Sequence, residues 1–172
     1  SKFLVNVLTD AEKAKMEQHA YADDRLDVEK TSKVSQGSVV QFRSQALDMV
    51  SKITLRYKMA IPSTVDTSKL TFKVTYTDHT GKAACKDYTF ADLKYEDGLY
   101  VLDFAEFHAT QMREGAKCTI YLDGVEHGSY TNSIENYCYT AVNKDGESEL
   151  VKQLARRISL YGDACYEAYG SQ

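Results

Sequence analysis

The chain reads as an α+β protein that is mainly β: an antiparallel, Ig-like β-sandwich of about seven strands, with an N-terminal polar helix and a C-terminal amphipathic helix packed on it. Three observations predict this. Apolar and polar residues alternate over short runs from about Val39 onward, turn signals recur between those runs, and the last part of the chain changes to a helical period. At 172 residues, 43% of them hydrophobic, the chain is long enough to bury a core as one compact domain.

Residues 1–37 are read as a helix and a charged linker. Phe3 to Leu8 is a short apolar run, and Thr9 with Glu12 has the Thr-x-x-Glu spacing of a capping box. There the hydroxyl accepts an N3 amide hydrogen while the carboxylate reaches back to the cap. The helix so opened runs to about Ala22. It is rich in Lys, Glu and Ala, with only Leu8, Ala11, Met16 and Ala20 as a thin stripe, so it is expected at the surface or as a spacer. Asp23 to Gly37 is charged and has no period, which reads as a loop. Its acidic cluster (Asp23, Asp24, Asp27, Glu29) lacks the spacing and central glycine of a calcium loop, so a solvated charged segment is expected.

Residues 38–133 carry the sandwich. Val39 to Phe42 is the first strand. Ile53, Leu55, Tyr57, Met59 and Ile61 then alternate with Thr54, Arg56, Lys58 and Ala60, and Pro62, which has no amide to donate, ends that strand. Leu70, Phe72, Val74 and Tyr76 form the next, followed by a loop at Asp78-His79-Thr80-Gly81 and a return strand near Cys85 to Phe90. Asp97-Gly98 turns into Leu99 to Phe104, and Asp123-Gly124 joins Cys118–Leu122 to Val125–Tyr130 as a two-residue hairpin. Between them, Ala105 to Gly115 breaks the alternation with a short helical turn near Ala109 to Arg113. Thr, Lys and Arg on alternate positions suit sheets wet on one side.

Residues 134–172 are read as a helical segment. A turn or two follows Ser133 through Ala141, and a long helix runs from about Glu147 to Tyr169. Leu150, Leu154, Ile158, Tyr161, Cys165 and Tyr169 form one continuous stripe on it, widened by Val151 and Ala155, and that stripe is expected to face the core. Glu147 and Glu149 lie at its positive end, and Gly170 follows as a stop. Gly162 costs about 1 kcal/mol inside a helix, so its presence predicts close approach of another backbone.

Composition excludes several functions. A net charge of −4 offers no basic face for a general nucleic-acid binder. No apolar run approaches the roughly 20 residues of a membrane-spanning helix. Four cysteines, Cys85, Cys118, Cys138 and Cys165, never fall as C-x-x-C, which disfavours zinc ribbons. Each lies in an apolar pattern and is expected as a small buried thiol, with Cys138–Cys165 the pair to consider for a disulfide. His19, His79, His108 and His127 are scattered and show no metal-ligand spacing; loop or surface positions are expected. There is no G-x-S-x-G, no phosphate loop and no Cys beside a His. Carboxylates such as Asp103, Glu106, Asp123 and Glu135 form no recognisable catalytic pair in one dimension. Neither catalytic residues nor a cofactor or metal is expected. Thirteen tyrosines and no tryptophan leave a chain suited to protein contacts, since tyrosine brings large contact area at low entropic cost.

Four segments carry a resemblance: Ser51-Lys52-Ile53-Thr54-Leu55-Arg56-Tyr57-Lys58, Gln111-Met112, Asn132-Ser133-Ile134-Glu135-Asn136-Tyr137-Cys138, and Leu160-Tyr161-Gly162-Asp163-Ala164-Cys165. Over about Val39 to Tyr169 the chain resembles a non-catalytic module repeated in large surface proteins of gut Firmicutes, especially Lachnospiraceae and Ruminococcaceae. The family pattern has alanine where this chain has Cys138 and Cys165, which supports buried small residues. The resemblance implies a secreted or cell-wall-attached, adhesive protein, and some such proteins bind the heavy-chain variable domain of host immunoglobulins as B-cell superantigens. The chain opens at Ser1-Lys2-Phe3 with no signal peptide, and a piece of a longer secreted chain is expected.

The functional expectation is therefore an extracellular binding module whose partner is a host protein, immunoglobulin being the specific form, with no nucleic acid and no membrane insertion. A carbohydrate-binding module or a spacer with no ligand are the alternatives. Sheet edges and the polar N-terminal piece are the expected contact surfaces, by strand addition or helix docking. Lys15, Gln18, His19, Tyr21 and Arg25 are the candidate contact residues there.

Overall fold

The computed structural model describes residues 9–11, 14, 32–48 and 52–169. Two antiparallel sheets pack face to face, and two helices follow them. One sheet has the order β1 (Lys33–Ser35), β9 (Val125–Asn132), β8 (Ala116–Leu122), β4 (Leu70–Thr77), β5 (Ala83–Thr89). The other has the order β2 (Gln41–Asp48), β3 (Thr54–Ala60), β7 (Leu99–Phe104), β6 (Lys94–Glu96). Consecutive hairpins alternate between the sheets: β2–β3 in one, β4–β5 in the other, then β6–β7 and β8–β9. The helices are α1 (Ile134–Asn143) and α2 (Glu149–Tyr169).

The alternation read from the sequence is the alternation of burial. In β3, Leu55, Tyr57 and Met59 are wholly buried while Thr54, Arg56, Lys58 and Ala60 face outward. They share one core cluster with Leu102 and Phe104 of β7, their neighbour in the same sheet, and with Phe72 and Val74 of β4 and Ile120 of β8 in the opposite sheet. Phe42, Tyr57 and Tyr130 stack edge to face, with ring centroids 5.6 to 6.4 Å apart. The buried Tyr57 hydroxyl donates to the Ala116 carbonyl at 2.8 Å, which removes the cost of taking it out of water. Both Asp-Gly hairpins are present: Asp97 and Asp123 have φ of 51° and 54° and their glycines 81° and 78°, the twist a two-residue turn needs.

Nine strands are described where about seven were expected. β6 is a three-residue strand running directly into the Asp97-Gly98 turn, too short to show alternation. β1 falls inside the segment read as a charged loop, because its three residues are all exposed and carry no alternation. It pairs with β9, Lys33 opposite Thr131 and Ser35 opposite Ser129. β2 continues to Asp48, past the expected Phe42, because a bulge between Phe42 and Ser44 shifts the period by one residue. The crossover from β1 to β2 is tied down by two side chains. Gln36 pairs with Phe42 like a strand neighbour, its Nε2 donating to the Phe42 carbonyl and its Oε1 accepting from the Phe42 amide. His127 Nε2 accepts from the Val39 and Val40 amides at 3.0 and 3.2 Å, so this histidine staples the crossover instead of lying idle in a loop. A Cβ at Gly128 would sit 2.8 Å from the Gly37 amide nitrogen, which keeps both chains close at this point.

The expected helix from Thr9 to about Ala22 lies, but for residues 9–11 and 14, outside the described residues.

Candidate functional site

The two helices are anchored by the segments that stood out in the sequence. Ser133 caps α1, its hydroxyl accepting from the Asn136 amide at 2.9 Å, and Glu135 opens the helix at its positive end. The Glu135 amide donates to the Met112 carbonyl just after the 3-10 turn Ala109–Gln111. Glu135 and Asp163 are both almost wholly buried, and Arg113 reaches them from the surface. Its Nε donates to Asp163 Oδ1 at 2.9 Å and lies 3.7 Å from Glu135 Oε2, while Ser159 Oγ donates to Glu135 Oε1 at 3.1 Å. Burial opposes the charge on Arg113, but the Asp163 hydrogen bond and the charges of Asp163 and Glu135 outweigh it, so its pKa is raised. The ring of Tyr166 lies 5.3 Å from the guanidinium carbon. Buried carboxylates need such partners, and these tie α1, α2 and the 3-10 turn together.

This arrangement corrects the expected orientation of α2 in part. The helix packs chiefly on α1 and the 3-10 turn, and the face it buries is Ala155, Ser159, Gly162 and Asp163. Small residues let two helices approach closely. Gly162 is in contact with the Met112 side chain, not with another backbone as expected: a Cβ there would meet Met112 Sδ at 2.8 Å. Of the stripe read as core, Ala155 is buried in it, Val151 and Ile158 are partly buried against it and Cys165 is half-buried, but Leu150 is 77% exposed, Leu154 44%, Tyr161 53% and Tyr169 67%. Hydrophobic periodicity marks the flank of the stripe that packs, Val151, Ala155 and Ile158, while its other flank faces solvent. The result is a leucine and tyrosine face on the outside of the molecule.

A second feature is a polar cleft of about 350 Å³ between the end of the sandwich and α1, lined by Gln45, Tyr130, Asn132, Asn136, Tyr137 and Thr140, with Lys144 and Glu147 at its edge. Asn132 organises it: its Oδ1 accepts from the Ser133 amide and Asn136 Nδ2, and its Nδ2 donates to Gln45 Oε1. Gln45 Nε2 is buried there with no acceptor. A shallower depression of about 480 Å³ lies on the outer face of the five-stranded sheet, bordered by Thr71, Lys73, Asp87, Tyr88 and Tyr121. Burial and the nearby Glu106 charge raise the Tyr88 phenol.

The candidate contact residues Lys15, Gln18, His19, Tyr21 and Arg25, and the acidic cluster Asp23, Asp24, Asp27 and Glu29, lie outside the described residues. The four cysteines are free thiols: Cys118 and Cys138 buried, Cys165 half-buried, Cys85 exposed on β5 rather than buried as expected. Cys118 is pushed up by burial. The His79 and His108 rings lie 5.6 Å apart, a pair that spacing in sequence did not reveal. Among the described residues no three His, Cys, Asp or Glu gather as a metal site, and no described helix is long and apolar enough to cross a membrane. Comparison of the chain with protein-family models, curated proteins and solved structures finds no match.

Proposed function

We propose that the chain is a non-catalytic binding module of a secreted or wall-attached bacterial protein, and that it docks a folded host protein, an immunoglobulin variable domain being the specific partner. One observation carries the reading: the outward leucine and tyrosine face of α2, with Leu150, Leu154, Tyr161 and Tyr169 exposed on a single helix. A helix that turns its large apolar side chains to solvent keeps a hydration cost that burial in a complex removes. Tyrosines supply the rigid, amphipathic contact area that interfaces favour. A folded β-domain presents the sort of broad surface such a helix face can lie against.

Binding of polyclonal IgA and IgG, and of their Fab fragments, to the immobilised chain tests the specific form. Binding at micromolar concentration that is lost with Leu154→Glu or Tyr161→Ala supports it. Absence of binding to every immunoglobulin class overturns it.

The polar cleft favours a second reading, recognition of a glycan end. Amide side chains and two tyrosine rings converge there, and Gln45 Nε2 has an unmet donor. Glycan-array binding lost in Gln45→Ala and Tyr137→Ala, with immunoglobulin binding absent, would replace the first reading by this one. A spacer module binds in neither assay.

A further inference from the structure

We propose that the outer face of α2 is self-complementary, and that two copies of this chain pair through it, antiparallel about a two-fold axis near residue 159. The inference rests on the reading of that face as a contact surface and adds an occupant and a form of regulation. Leu150, Leu154, Arg157, Tyr161, Ala164 and Ala168 follow one another at four, three, four, three and four residues, the seam of a coiled coil. All six are exposed, and the seam runs along the opposite flank from Ala155, Ser159, Gly162 and Asp163.

The spacing is the same read in either direction. A second α2 turned end for end therefore meets it in register: Leu150 faces Ala168 of the second copy, Leu154 faces Ala164, and Arg157 faces Tyr161. Each leucine lies opposite an alanine, so the helices approach closely on either side of the central Arg157–Tyr161 contacts. At the centre the Arg157 guanidinium meets a tyrosine ring, and the two-fold axis makes that contact twice. Arg157 has no ion pair among the described residues, whereas its neighbour Arg156 is held by Glu149 at 3.0 Å. Parallel pairing would set Arg157 against Arg157, with leucines crowded at one end and alanines leaving a gap at the other. The sequence thus favours one orientation. A paired face is hidden from an outside protein, so self-association and partner binding compete for it.

Sedimentation velocity of the full chain over a concentration series tests the pairing. The expected result is a monomer–dimer equilibrium in the micromolar range, weakened about a hundredfold by Leu150→Glu with Leu154→Glu. Both positions are exposed, and unchanged circular dichroism shows that the variant folds. Orientation is read by cross-linking, in a background with Cys85→Ser and Cys165→Ala. A chain with Leu154→Cys and one with Ala164→Cys are expected to form the mixed disulfide, each alone forming little. A chain that stays monomeric up to about 100 µM overturns the proposal, as does a dimer indifferent to the glutamates or one that cross-links 154 to 154. A dimer that binds no immunoglobulin leaves this inference standing and removes the specific partner; a strict monomer that binds immunoglobulin does the reverse.

Discussion

Asp103 lies on the outer face of the four-stranded sheet between two cations. It accepts from Arg56 Nε at 2.8 Å and Lys94 Nζ at 2.6 Å, and Arg56 also holds Glu96 at 2.8 Å. Burial pushes the Asp103 carboxyl up, but the hydrogen bonds from Arg56 and Lys94 hold it below its ordinary value. A carboxyl depressed on folding contributes stability that is present above its unfolded pKa and lost as pH falls through the folded one. Asp103→Asn should cost about 1–2 kcal/mol at neutral pH. The difference from the parent should close as pH falls from about 4, the ordinary carboxyl value, through the lower folded one; urea unfolding at a series of acidic pH values measures it. Gly162 gives a second prediction. Alanine would gain about 1 kcal/mol of helix propensity, yet its Cβ would meet the Met112 Cβ at 3.1 Å as well as the flexible Sδ. We expect Gly162→Ala to destabilise by about 1–2 kcal/mol net, and Met112→Ala in the same chain to relieve the part of the overlap made by Sδ and Cγ, as favourable coupling in a double-mutant cycle.

At the scale of elements, the strands that alternate cleanly were legible and the ones that do not were missed. β3 and β4 have buried and exposed residues in strict turn, whereas β1 has no buried residue and β2 carries a bulge. The amphipathic helix was legible as a helix. Its orientation was not, because the face that packs is selected by closeness of approach and by the buried Asp163, neither of which a hydrophobic period records. The corrected orientation is testable with two neighbouring positions. At dilute concentration, Leu154→Glu should change stability by no more than about 0.5 kcal/mol. Ala155→Glu places a carboxylate in the core cluster and should cost about 3 kcal/mol or more; thermal denaturation of the pair distinguishes them. The polar cleft was invisible in sequence because Gln45, Asn132 and Asn136 come together only through the β2–β9 edge and α1.

For the whole molecule, the helices are part of the core and not an appendage. Met112, Ile134, Cys138, Ala141 and Ala155 belong to the same cluster as the inner faces of the sheets. A chain ending at Asn143 loses the Arg113–Asp163 bond and uncovers that end of the core. It should bind a hydrophobic dye and unfold without a sharp transition, where the full chain unfolds cooperatively. Four thiols should react with a thiol reagent in denaturant, and without denaturant Cys85 should react first, since it is the exposed one of the four.

The pairing of β1 with β9 bears on how the chain is made. A polypeptide emerging from the ribosome delivers Lys33 long before Thr131, its partner. The hairpins β2–β3, β4–β5 and β6–β7 can each form as they appear, but β1 has no neighbour in its sheet until β9 arrives. The first of the described strands to be delivered is thus among the last to be paired, and the His127 staple closes the crossover behind it at that same moment. The five-stranded sheet therefore keeps an unfinished edge until the last of its described strands has been made.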